Sequence, residues 1–167
     1  SPDGKRVAYV RGGNLFAADG EQGEVQLTKD GGGEVLNGKA DWVYYEEIFN
    51  RNHKAFWWSP DGSALAFMRF DDAPVSKFTV VSPFPNRGLV EATAYPKTGD
   101  PNPTVKLAVV PAAGGEVAYL DLTGYPPEKT VFARVGWVSG TKTPFAYVQN
   151  REQTWLDFVT WPDWKGP

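Results

Sequence analysis

Short apolar runs alternate with turn signals along this chain. Arg6-Val7-Ala8-Tyr9-Val10-Arg11 follows the turn tetrapeptide Ser1-Pro2-Asp3-Gly4. Ala64-Leu65-Ala66-Phe67-Met68-Arg69 follows an identical tetrapeptide, Ser59-Pro60-Asp61-Gly62, 58 residues further on. Pro presets φ, Asp bonds its own backbone and Gly accepts positive φ, so each tetrapeptide predicts a tight turn. The β-prone run after it predicts a strand. Asn14–Asp19 and Glu24–Thr28 continue the first pattern up to the turn Gly31-Gly32-Gly33. Ala55–Trp58 precedes the second tetrapeptide, and Lys77–Val81 follows its strand. A third set runs from Thr104–Val110 to Val117–Leu122, and a fourth from Ala133–Val138 through Phe145–Val148 to Trp155–Val159.

Strand, turn, strand, turn, strand is the rhythm of a propeller blade. Blades take about 40–50 residues, so the chain has room for three to four of them. Propellers close with about 4–8 blades. The pattern begins and stops in mid-rhythm, so the expected object is an all-β arc (residues 1–167) belonging to a larger ring. Its radial edges would expose strand edges and Trp-rich surface, and the isolated piece would tend to associate.

Two stretches break the rhythm. Asp41–Asn50 predicts a short inserted helix, with Asp41 as its cap and Trp42, Tyr45 and Phe49 at helical spacing. Pro83–Pro103 is a Pro- and Gly-rich excursion containing Pro85, Gly88, Pro96, Gly99 and Pro101. A loop of that length inside a compact domain predicts an arm or a functional segment.

Composition narrows the function classes. Aromatics make up 14% of the chain, with 18 Gly and 14 Pro, which favours many short strands over long helices. The net charge of −3 is spread without a basic stripe, so nucleic acid has no electrostatic support. No cysteine is present, which removes disulfides, zinc–thiolate sites and a cysteine nucleophile. No Asp/Glu/His cluster has metal-ligand spacing, and no cofactor motif occurs. His53 is the sole histidine, and no Gly-x-Ser-x-Gly elbow exists. Ser59 and Ser139 sit in turn-like contexts, so a Ser-His-Asp triad is not expected in this chain.

Three segments occur in order: Asp41-Trp42-Val43-Tyr44-Tyr45-Glu46-Glu47-Ile48-Phe49, Trp57-Trp58-Ser59-Pro60-Asp61-Gly62, and Tyr95-Pro96-Lys97-Thr98-Gly99-Asp100-Pro101-Asn102-Pro103-Thr104-Val105. Together they resemble the β-propeller domain of the dipeptidyl peptidase IV family, of the prolyl oligopeptidase clan. That resemblance implies part of an eight-bladed ring in a serine exopeptidase that removes N-terminal dipeptides with Pro or Ala second. It further implies that Glu46 and Glu47 are the paired glutamates holding the substrate's α-ammonium. An acidic residue usually precedes the pair; here that position is Tyr45. The catalytic triad and a substrate-orienting arginine would lie elsewhere, the triad in an α/β-hydrolase domain of the same parent chain. The excursion would contribute to a homodimer. The lack of cysteine and the compact loops lean towards a bacterial enzyme, and relatives of that kind are usually exported (periplasmic or secreted). The competing reading is a non-catalytic propeller that binds protein or carbohydrate.

The physics of the glutamate pair stands apart from the resemblance. Adjacent side chains on a strand point to opposite faces, whereas on a helical turn they diverge by only about 100°. A helical turn therefore lets Glu46 and Glu47 converge on one cation. An ammonium offers three donors, and charge-assisted bonds contribute roughly 1.5–3 kcal/mol each. Fixing the amine at a set distance from a nucleophile makes the pair a ruler that counts two residues.

Overall fold

The computed structural model describes every residue except Gln22, Pro85, Arg87 and Pro167. Pro85, one of the prolines of the excursion, therefore lies outside the described residues. The fold is an arc of three antiparallel sheets plus a separate hairpin. The first sheet joins β1 (Arg6–Arg11), β2 (Asn14–Asp19) and β3 (Gly23–Gln26) as a meander. The middle sheet contains β4 (Val35–Asn37), β5 (Phe56–Trp58), β6 (Ala64–Asp71), β9 (Thr104–Pro111) and β10 (Ala118–Tyr119). The last joins β11 (Thr130–Trp137), β12 (Pro144–Asn150) and β13 (Leu156–Thr160). The hairpin pairs β7 (Lys77–Ser82) with β8 (Leu89–Ala94) and, among the described residues, with no other strand.

The two Ser-Pro-Asp-Gly repeats form the same turn. Gly4 N–H donates to Ser1 O at 3.0 Å, and Gly62 N–H donates to Ser59 O at 2.9 Å. Both glycines have positive φ, +73° and +70°, a region costly for a residue with a Cβ. Each serine hydroxyl then accepts the N–H that opens the following strand, from Arg6 at 2.9 Å and from Ala64 at 3.0 Å. Ser59 is thus consumed by its turn, buried and bonded to Asp61.

The middle sheet is buried on both faces, which explains the nearly unbroken apolar run from Ala64 to Phe70. Leu65 and Phe67 face the first sheet and pack with Leu15, Ala17 and Leu27. Ala64, Ala66, Met68 and Phe70 face the third, packing with Phe132, Val135, Ala146, Val148 and Trp161. Strand β9 splits in the same way, with Val105, Leu107 and Val109 toward the third sheet and Ala108 and Val110 toward the first. Trp137 adds a polar tie, its Nε1–H donating to Trp57 O at 2.9 Å between the second and third sheets.

Two expectations from the sequence need correction. The set beginning at Thr104 is not a blade of its own: β9 pairs with β6 through eight registered positions, from Ala64 opposite Pro111 to Asp71 opposite Thr104. Lys77–Val81 does not extend the second blade either, since among the described residues it pairs only with β8. The arm thus starts at Lys77 and interrupts one blade between its second and third strands. Local β propensity marks a strand but not its partner, and here the partner of β6 lies beyond the excursion.

The outer faces of the end sheets keep apolar surface in solvent. Val7 is 65% exposed on β1, and Phe158 is 58% exposed on β13 beside Phe145 and Tyr147.

Candidate functional site

Between β4 and β5 the chain leaves the middle sheet and returns. The neck of this insertion is closed by Ala40 N–H donating to His53 O at 2.9 Å and Ala55 N–H donating to Gly38 O at 3.0 Å. Within it, Tyr44–Ile48 forms one turn of π-helix, closed by Phe49 N–H donating to Tyr44 O at 2.7 Å. Such wide turns are frequent at functional sites.

Asp41 starts the turn. Its Oδ2 accepts the Val43 N–H at 2.8 Å and its Oδ1 accepts the Tyr44 N–H at 3.1 Å, satisfying two donors that a helix start leaves open. Burial pushes the Asp41 carboxyl up, and these two N–H bonds pull against it. Tyr44 then pins the turn into the core. It is 2% exposed, meets Phe70 and Phe49 edge-on at 5.0 and 5.6 Å, and its hydroxyl accepts the Phe132 N–H of β11 at 3.1 Å. Burial raises the phenol well above its ordinary range. A cap and a buried tyrosine thus hold one exposed helical turn against two blades.

The turn presents its acidic pair outward. Glu46 is half-buried and Glu47 is exposed. Among the described residues, Glu47 makes no hydrogen bond or ion pair. Oε1 of Glu46 accepts two bonds from Arg51, from Nε at 3.0 Å and Nη2 at 2.8 Å. Arg51 itself is fixed at the exit of the turn, with φ of 61° and its backbone N–H donating to Tyr45 O at 2.8 Å. Arg51 is not among the residues that the sequence pattern singles out. A basic residue shortly after an acidic pair, just past a helix end, was the available signal, because such a cation complements the C-terminal end of a helix.

Neighbouring aromatics frame this surface. His53 is exposed and stacks on Tyr45 at 3.9 Å, away from any serine or carboxylate partner in the described residues. Phe49 meets Trp57 edge-on at 6.1 Å, and both line a groove of about 410 Å³ shared with Lys54, Arg134 and Trp137. On the other side, Trp42 packs on Tyr95 at 4.2 Å, and Tyr95 packs on Phe78 of β7 at 5.8 Å. The helical turn and the root of the arm therefore share one aromatic seam.

Asp72 lies at that root, directly after β6. Its N–H donates to Glu34 O at 2.9 Å, yet its Oδ1 is buried with no hydrogen-bond partner among the described residues. Burial, reinforced by Asp41, Glu34 and Asp71, pushes its carboxyl up to about 7, while Lys77 pulls it down. No group of three or more His, Cys, Asp or Glu able to hold a metal occurs among the described residues.

Three bladed sheets packed face to face, with an acidic helical turn inserted in one blade and a hairpin arm interrupting the same blade, define a partial β-propeller. The family described as "Dipeptidyl peptidase IV (DPP IV) N-terminal region" matches residues 1–165, and the chain belongs to that family. Among curated relatives, the dipeptidyl peptidase 4 of Trichophyton tonsurans is 34% identical over 166 residues, covering 92% of this chain and 21% of that protein. The dipeptidyl peptidase 4 of Trichophyton rubrum is 33% identical over the same coverage. The crystal structure of Porphyromonas gingivalis dipeptidyl peptidase 4 superimposes with a TM-score of 0.87 at 30% identity, covering 96% of this chain and 23% of that one. The chain spans about a fifth of the length of these curated relatives.

Proposed function

We propose that this chain is the propeller portion of a serine-type dipeptidyl peptidase, and that Glu46 and Glu47 anchor the α-ammonium of its peptide substrates. The observation that carries the reading is the presentation of the pair. A π-helical turn, capped by Asp41 and pinned by Tyr44, raises two adjacent carboxylates at the surface of a domain whose relatives are named dipeptidyl peptidase 4. Glu47 has no competing partner among the described residues, and Glu46 keeps Oε2 outside its bonds to Arg51.

In the working enzyme the nucleophile and its histidine come from an α/β-hydrolase domain of the same parent chain. The glutamates hold the free amine, so the acyl carbon of the second residue reaches the serine and a dipeptide leaves. The β7–β8 arm, with Val81 and Val90 paired across it and 67% and 66% exposed, supplies a homodimer contact.

The test uses the full-length parent enzyme. Glu46→Gln and Glu47→Gln should each lower kcat/KM for H-Ala-Pro-p-nitroanilide by at least tenfold, the loss of roughly one charge-assisted bond. Kinetics close to wild type in both variants would defeat the assignment.

A further inference from the structure

Resting on the reading of Glu46 and Glu47 as the amine anchor, we infer that Arg51 selects substrates by the charge of their first side chain, disfavouring Lys and Arg and favouring Asp and Glu. Three observations carry this. Both bonds from Arg51 fall on a single oxygen of Glu46, at 3.0 and 2.8 Å, so the guanidinium orients that carboxylate without covering it. Nη1 makes no hydrogen bond among the described residues, and the Arg51 side chain is 73% exposed, so a donor face remains open to an arriving ligand. The backbone of Arg51 is held by its N–H bond to Tyr45 O in the left-handed region, which ties the cation to the same turn as the pair.

Two carboxylates and one guanidinium leave the anchor at −1, which a single ammonium neutralises. A substrate's first side chain leaves the same carbon as its ammonium. Once the amine is anchored, a charge on that side chain stands within about a Debye length, ~8 Å, of Arg51. A second cation there meets an already neutralised anchor and a fixed like charge. A carboxylate there meets the open Nη1 face and is attracted across solvent. Arg51 is thus a positioning residue for Glu46 and a specificity residue for the substrate's first position.

The experiment measures kcat/KM of the full-length enzyme on H-Lys-Pro-, H-Ala-Pro- and H-Asp-Pro-p-nitroanilide, for wild type, Arg51→Met, Arg51→Lys and Glu47→Gln. A single charge pair at about 7 Å in a water-like medium changes a rate constant roughly threefold. The effects on Lys-first and Asp-first substrates have opposite sign. Arg51→Met should therefore raise the Lys-first to Asp-first ratio by roughly tenfold at low ionic strength, and by less in ~1 M salt. Arg51→Lys, which keeps the charge, should hold the ratio near wild type. If the ratio stays fixed in Arg51→Met while Glu47→Gln still cripples H-Ala-Pro turnover, the selectivity role is wrong and the anchor stands. If Glu47→Gln also leaves turnover untouched, the anchor itself is wrong and the inference goes with it.

Discussion

Asp72 makes the stability of this domain fall as pH rises from about 4 to about 7. It follows β6 and begins the chain's departure into the arm, with Oδ1 buried and unpartnered among the described residues. Burial first, then the charges of Asp41, Glu34 and Asp71, lift its carboxyl from the ordinary 3.8 to about 7. The folded chain keeps this proton to higher pH than the unfolded chain does. Between about pH 4 and 7 the native state therefore binds more protons, and stability declines as pH rises; above that range the loss is complete. Titration near 3.8 unfolded and about 7 folded corresponds to at most about 4 kcal/mol. Relaxation and water penetration around the buried carboxylate reduce the effect to about 2 kcal/mol. Asp72→Asn removes the ionisation while keeping the shape. Urea unfolding of the 167-residue chain at pH 4 and pH 8 should show the variant gaining about 2 kcal/mol over wild type between the two. Parallel pH profiles for the two proteins would refute the reasoning, because the carboxyl would then ionise as easily in the fold as outside it.

Two further outcomes are expected. Tyr44→Phe deletes the acceptor of the Phe132 N–H and leaves that buried donor unpaired, which should cost about 1–3 kcal/mol in chemical denaturation; an unchanged midpoint would mean that the donor finds another acceptor. If the arm supplies the proposed homodimer contact, Val81→Asp, placed opposite Val90, should lower the sedimenting mass of the full-length parent at micromolar concentration; an unchanged mass would remove the arm from that role.

The elements of the three blades were legible because their signals are local. The Ser-Pro-Asp-Gly turns need one glycine at positive φ and one serine hydroxyl, and both repeats fold as their composition dictates. The Asp41 cap was legible for the same reason, since its two acceptor bonds reach only two and three residues along the chain. The fate of Lys77–Val81 was not. Its alternating, β-branched composition resembles that of a blade strand, and its pairing depends on where β9 returns, more than twenty residues later.

By itself, the sequence determined an all-β arc of repeated blades, a capped helical insertion, and an adjacent glutamate pair on that insertion. Each follows from spacing within a few residues, where backbone geometry and hydrogen-bonding groups leave little choice. Tertiary structure alone decided that Thr104–Pro111 completes the second blade, that Tyr44 reaches across to Phe132, and that Arg51 closes on Glu46. It also placed Asp72 where burial and three neighbouring carboxylates hold its proton. These outcomes depend on which surfaces meet when the blades stack, and burial and charge proximity are properties of that stacking rather than of the local chain.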